Sequence, residues 1–181
     1  MLLVQGALIL ALFLSLAPSA DASRTVPCEE AASGGLNQAA GQCVKFKKAR
    51  LINGMAIAPT TAPARVKAVI EAANKIRNKP YRWGGGHGSF EDTGYDCSGA
   101  VSYALKGGNF VTSPLNSSGY MTWGKSGVGR WITVYTNPGH AYMVVAGLRF
   151  DTSQTPGDGP GWSKSMRSTS GSFLARSPVG F

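Results

Sequence analysis

Charge is scarce in this chain: 15% of its 181 residues are Asp, Glu, Lys or Arg, and only 9 are acidic. Histidine is scarcer, at two residues, and cysteine stops at three. So few imidazoles and thiols make a zinc centre a poor reading, because the two best-placed ligand types would still need companions. After the first 16 residues no apolar run is long enough to cross a bilayer, and no internal repeat or low-complexity tract is present. The length excludes a multidomain machine and fits one ordinary globular domain with attachments. Disorder is excluded by the low charged fraction and by a stock of 4 Trp and 7 Phe for a core. With 24 Gly and 10 Pro, many turns are expected rather than a helical bundle.

What the chain does have begins with a leader. Leu2 to Leu16 is apolar except for Gln5, Gly6 and Ser15, and it runs into Ala20-Asp21-Ala22, the small-x-small pattern cut by signal peptidase. Residues 1–22 are therefore expected to be a signal peptide, with the mature protein starting at Ser23. The Lys or Arg usual in a secretory n-region is missing. An uncleaved anchor is the other reading, but a bilayer span needs about 20 apolar residues and this run is shorter.

The chain has 18 Lys and Arg and a formal net charge of +9, and loss of the leader removes Asp21 but no base. The bases crowd residues 45–82, from Lys45, Lys47 and Lys48 to Lys79 and Arg82. Such a surface attracts polyanions. For an exported protein the expected polyanions are cell-wall polymers or acidic lipids rather than nucleic acid. A generally basic, soluble surface is the plainer reading.

An odd number of cysteines in an exported chain requires one to stand apart. Cys28 and Cys43 lie in one short polar segment and are expected to form a disulfide, which by loop entropy would stabilise it by about 3 kcal/mol. Cys97 remains alone. A lone thiol is either buried and inert or reactive, and its neighbours decide which.

Ala58 to Ala64, rich in Pro and Thr, reads as a stiff linker, which places residues 23–64 in a short leading segment and 65–181 in the main domain. Val66, Val69, Ile70, Ala73 and Ile76 then share one helical face, and Pro80 ends the helix. A turn-rich stretch follows to Gly94. Asp96 is a natural N-cap for a second helix, which puts Cys97 in its first turn and uses Gly107-Gly108 as the stop. Residues 109–129 read as a connecting loop. Strands are expected over 131–136, 140–146 and 148–151, with a closing strand at 172–176. Helices first and an antiparallel sheet afterwards is an α+β order.

The chemistry centres on Cys97. A thiolate is favoured at a helix N-terminus and beside an imidazolium. Of the two histidines, His87 lies in a glycine run and His140 opens a strand, where packing can hold its ring, so His140 is the better base. A hairpin turning at Gly147 would bring Asp151 back beside His140 as the orienting partner. The other reading of Asp151 is a surface acid at a strand end. The Cys97 backbone N–H and the Tyr81 hydroxyl are candidate oxyanion donors. The run Gly84-Gly85-Gly86-His87-Gly88 is not a phosphate loop, since no Lys-Ser or Lys-Thr follows it. Trp83, Tyr120, Trp123 and Trp162 are of a kind that stacks on sugars, or that forms core and cleft walls.

Tyr81-Arg82-Trp83-Gly84-Gly85, then Asp96-Cys97-Ser98-Gly99, then Gly139-His140 opening an apolar strand, resemble the NlpC-type cell-wall cysteine peptidases over residues 65 to 155. The resemblance implies a compact papain-like fold, with Cys97 as nucleophile, His140 as base, Asp151 as the third residue and Tyr81 assisting the oxyanion. It also implies that Asp96 and Ser98 contact the free amine of a peptidoglycan stem peptide, with Trp83 beside them. Aspartate departs from the His, Asn or Gln more usual at the third position. The implied activity is a secreted endopeptidase cutting stem peptides between D-glutamate and the diamino acid, with peptidoglycan as partner and no cofactor or metal. The alternatives are a catalytically idle wall-binding module and a cysteine amidase acting between sugar and peptide.

Overall fold

The computed structural model describes residues 48–153, 159–168 and 173–181. The expected leader over 1–22 and the Cys28–Cys43 pair lie outside the described residues.

The described chain opens on a hairpin. Strands β1 (Arg50–Ile52) and β2 (Met55–Ile57) pair antiparallel around Asn53-Gly54, both at positive φ (49° and 75°). Two consecutive left-handed residues are what a two-residue hairpin needs, and Asn-Gly supplies them at least steric cost. Helix α1 (Ala64–Ile76) follows, with Pro63 at its N-cap and Val66, Val69, Ile70, Ala73 and Ile76 buried on the predicted face. Fully burying each of the Val and Ile side chains in this row is worth about 1.5–3 kcal/mol. Asn74 ties α1 to the hairpin: its amide accepts from Ala56 N–H (3.0 Å) and donates to Ala56 C=O (2.8 Å).

Helix α2 (Cys97–Gly107) starts where the sequence predicts, capped by the Asp96 carboxylate, which accepts from Gly99 N–H at 2.7 Å. Gly107 and Gly108 end it for a second reason. A Cβ on Gly107 would stand 2.5 Å from the Ala72 Cβ, and one on Gly108 would stand 2.6 Å from a Val69 methyl, so the bare backbone lets α1 approach. Arg65 closes the junction by donating to the carbonyls of Gly108 (2.7 Å) and Asn109 (2.6 Å). In the 109–129 connection the chain forms a one-turn helix, α3 (Ser117–Tyr120), and a short strand, β3 (Lys125–Ser126).

The remaining strands are β4 (Ile132–Asn137), β5 (His140–Val145), β6 (Leu148–Asp151), β7 (Gly161–Ser163) and β8 (Leu174–Ser177). They form one antiparallel sheet in the order β3-β8-β4-β5-β6-β7. One row of alternate side chains, Ile132, Val134, Ala141, Met143, Val145, Leu148 and Phe150, is buried in the same core as α1 and α2. The structure is thus α+β, with a papain-like arrangement in which the helix bearing Cys97 at its N-terminus packs on an antiparallel sheet. That layout puts the start of α2 beside the start of β5.

Candidate active site

Backbone approach, more than side-chain packing, sets the first turn of α2. A Cβ on Gly99 would fall 2.0 Å from the Gly85 carbonyl oxygen, and one on Gly85 would fall 2.3 Å from that of Gly94. Gly84 and Gly86 flank this contact at φ of 73° and 83°, conformations that resist any other residue. The Trp-Gly-Gly and Cys-Ser-Gly runs are therefore two halves of one close contact, which holds the 81–87 loop against the helix that begins at Cys97.

Cys97 is the first residue of α2 and is partly buried with a free thiol. Burial opposes its ionisation. Hydrogen bonds from His140 and from the Ala141 backbone N–H, together with the nearby imidazolium, outweigh that and hold the thiol below its usual value. His140 opens β5, with its backbone N–H held by Asn137 Oδ1 at 2.8 Å. Its Nε2 lies 2.9 Å from Asp151 Oδ1, which leaves Nδ1 for the thiol. Burial disfavours the imidazolium, but hydrogen bonds to Asp151 and Cys97 and their negative charges raise it to about 9. The same balance draws Asp151 far below the usual carboxylate range: its side chain is fully buried, yet His140, Arg167 and the Ser153 N–H all stabilise the anion.

Asp151 reaches His140 diagonally. Met143 pairs with Phe150, so Asp151 falls beside Tyr142 and on the same face as His140, one alternate position away. The turn is made by Ala146 and Gly147 together, both at positive φ (47° and 85°). Two arginines that no sequence signal places here also face the acid. Arg167 donates to Asp151 Oδ2 at 3.0 Å and to Ser153 Oγ, and its Nη1 lies 3.2 Å from His140 Nε2. Arg149 Nε is 3.8 Å from Asp151 Oδ2. Phe173 and Tyr142 flank the imidazole, each with its ring centre 6.3 Å away.

Tyr81 is 37% exposed, and its hydroxyl is pushed up by burial and then by the negative charges of Cys97 and Asp96, so the phenol lies within electrostatic reach of both. Trp83 stands almost free of the protein, 87% exposed. Asp96 and Ser98 are buried beside Cys97, and both contact His87, whose Nε2 lies 2.9 and 3.0 Å from the two Asp96 oxygens. The structure thus joins Cys97, His140 and Asp151 through the imidazole, with Tyr81, Asp96 and Ser98 near the thiol, and it shows no contact between Trp83 and Cys97. Tyr120 and Trp162 are buried, and Trp162 donates to Asn74 Oδ1 at 3.0 Å as part of the scaffold.

No family model and no curated protein matches the chain. Among solved structures it is similar to the peptidoglycan hydrolase RipB of Mycobacterium tuberculosis, with 23% identity over 64% of this chain and 68% of RipB and a TM-score of 0.49. It is also similar to a mutated form of the resuscitation promoting factor interacting protein RipA, with 19% identity over 62% of this chain and 61% of RipA and a TM-score of 0.48. A third is RipD of Mycobacterium tuberculosis, a non-catalytic NlpC/p60 domain protein adapted to peptidoglycan binding, with 19% identity over 64% of this chain and 98% of RipD and a TM-score of 0.46.

Proposed function

We propose that the protein is an exported cysteine peptidase that hydrolyses peptidoglycan stem peptides, between D-glutamate and the diamino acid, through an acyl-enzyme. One observation carries this reading: a single imidazole is engaged on both sides, by a buried carboxylate at 2.9 Å and by a thiol whose ionisation it favours. A cysteine kept only for packing has no use for such a partner.

In the proposed cycle the Cys97 thiolate attacks the carbonyl carbon of the scissile amide. The oxyanion that forms is met by the Cys97 backbone N–H at the α2 N-terminus and by the Tyr81 hydroxyl. His140, held cationic by Asp151, gives its Nδ1 proton to the leaving amine. The neutral imidazole then takes a proton from the water that attacks the thioester, the C–S bond breaks to release the carboxylic acid, and the thiolate–imidazolium pair is restored. In this reading Trp83, Asp96 and Ser98 are the residues that would meet the stem peptide. The leader, the mature start at Ser23 and the Cys28–Cys43 disulfide belong to the same reading, as an export signal and a crosslinked leading segment ahead of the catalytic domain over 65–181. The basic surface is then suited to anionic polymers of the wall.

The test is digestion of purified peptidoglycan with mass analysis of the products. Split stem peptides are expected, and free lactyl ends would make the protein an amidase instead. Cys97→Ala should abolish release while retaining binding, and undiminished release by that variant would reject the nucleophile.

A further inference from the structure

Positive charge is in excess behind the imidazole of His140. Among the described residues Asp151 is the only acid on any strand. Around it stand two guanidiniums and the imidazolium, so even with the Cys97 thiolate counted the site sets three cations against two anions. Arg149 is the worse supplied. It alternates with Asp151 along β6 and so shares its face, and its side chain is 11% exposed. Asp151 Oδ2 lies 3.8 Å from its Nε, which makes no hydrogen bond. Burial, joined by the like charge of Arg167, holds this cation below the usual arginine range against the pull of Asp151. A buried guanidinium left short of acceptors is costly, and an incoming anion would relieve the cost.

Arg167 is the reachable member of the pair. Its side chain is 31% exposed, and its guanidinium carbon lies 5.7 and 5.8 Å from the ring centres of Tyr142 and Phe173, the rings that also flank His140. Among the described residues its hydrogen bonds to Asp151 and Ser153 run through Nη1. A planar fork held by one nitrogen presents the other in a fixed direction, which suits a carboxylate.

Chemistry decides which half of a substrate meets this charge. In the proposed cycle the acyl half is bonded to Cys97 and turns its oxyanion to the α2 N-terminus, whereas the departing amine takes its proton from His140. The departing residue therefore lies against the imidazole, and Arg167 Nη1 stands 3.2 Å from the far nitrogen of that ring.

We propose that Arg149 and Arg167 form an anion subsite beside His140, which binds a free carboxylate on the residue whose amine departs. This rests on the stem-peptide reading above for the identity of the ligand. In a stem peptide the main-chain carboxyl of the diamino acid is itself in a peptide bond, so the carboxylate taken is the one at the end of its side chain.

The experiment uses the full chain carrying Cys97→Ala and two stem tripeptides, both amidated at the C-terminus. The side-chain carboxyl of their diaminopimelate is free in one and amidated in the other. Calorimetry should show the free acid binding about tenfold more tightly, with the difference shrinking as salt is raised. Adding Arg167→Gln should abolish the difference, and adding Arg167→Lys, which keeps the charge, should retain part of it. A variant that merely loosened Asp151 would weaken both peptides alike. Equal affinities, tighter binding of the amide, or an undiminished difference in a folded Arg167→Gln variant would overturn the inference. A second probe needs no stem peptide. With Cys97 intact, the ratio of alkylation rates for iodoacetate over iodoacetamide should exceed that of a free thiol, and Arg167→Gln should lower it by about threefold. That fall in a protein whose Cys97→Ala form binds neither tripeptide would reject the stem-peptide reading and leave the anion subsite standing, whereas an unchanged ratio would overturn the subsite.

Discussion

Replacing Asp151 by Asn tests the couple that organises the site. The imidazole of His140 stands at about 9 instead of 6.5, a preference for the cation of about 3 kcal/mol, and its side chain is only 20% exposed, so solvent screens little of this. Asp151 and Cys97 share that stabilisation. Removing the carboxylate's charge returns His140 toward its ordinary value, and the thiolate loses its counterion in turn. If most of the 3 kcal/mol appears in the transition state, turnover falls about a hundredfold. It falls further, toward about ten-thousandfold, if the new amide presents its NH2 to Nε2 and imposes the wrong tautomer. The substitution would also leave Arg149 and Arg167 facing no anion, and losing one member of a buried ion pair costs about 3–5 kcal/mol of stability. The assay is the rate of Cys97 alkylation by iodoacetamide across pH, below the variant's melting temperature, alongside muropeptide release. In the native protein the rate should rise below the ordinary thiol range, and in the variant that rise should move to higher pH. An unchanged alkylation profile with less than a tenfold loss of release would refute the coupling.

The same couple sets a pH window for stability. Asp151, depressed in the fold, contributes above the ordinary carboxylate value of 3.8 and loses its contribution as pH falls below it; His140, raised in the fold, contributes fully below 6.5 and loses its contribution as pH climbs through about 9. Melting temperature should therefore be highest between those two ordinary values, and a maximum above pH 9 would contradict the assignment. Tyr81→Phe should lower kcat by about ten- to a thousandfold with little change in melting, because the proposed cycle offers its hydroxyl to an oxyanion and the residue is 37% exposed. An unaffected kcat would remove it from the mechanism. Thiol titration of the exported, unreduced protein under denaturing conditions should find one free cysteine, and three would rule out the Cys28–Cys43 bond.

The candidate site was legible where chemistry is local. An N-cap acid followed by cysteine, and a turn followed by histidine, each announce themselves within a few residues, and α2 and β5 begin where those signals place them. The Asp151 position followed from hairpin geometry, although the diagonal approach depends on Ala146 and Gly147 sharing the turn. The β1–β2 hairpin had a local signal, Asn53-Gly54 between short apolar runs, which the basic character of the stretch obscured. Arg167 had none, since it meets Asp151 only because the chain after β7 folds back across β6. The His87–Asp96 contact was likewise hidden, because a glycine run reads as freedom until a backbone contact such as Gly85 against Gly99 pins it.

Strand β8 lies between β3 and β4, so the sheet is completed by a segment made after all its other strands. Until that segment arrives, β4 presents a row of unpaired amides and carbonyls, and β3 has no partner in the sheet. Pairings that join distant parts of a chain form slowly. During synthesis the hairpin that carries His140 and Asp151 can therefore form before β8 is available, while β4 still offers an open margin. Protection of that margin, by a chaperone or by rapid completion, becomes a condition for producing the protein in soluble form.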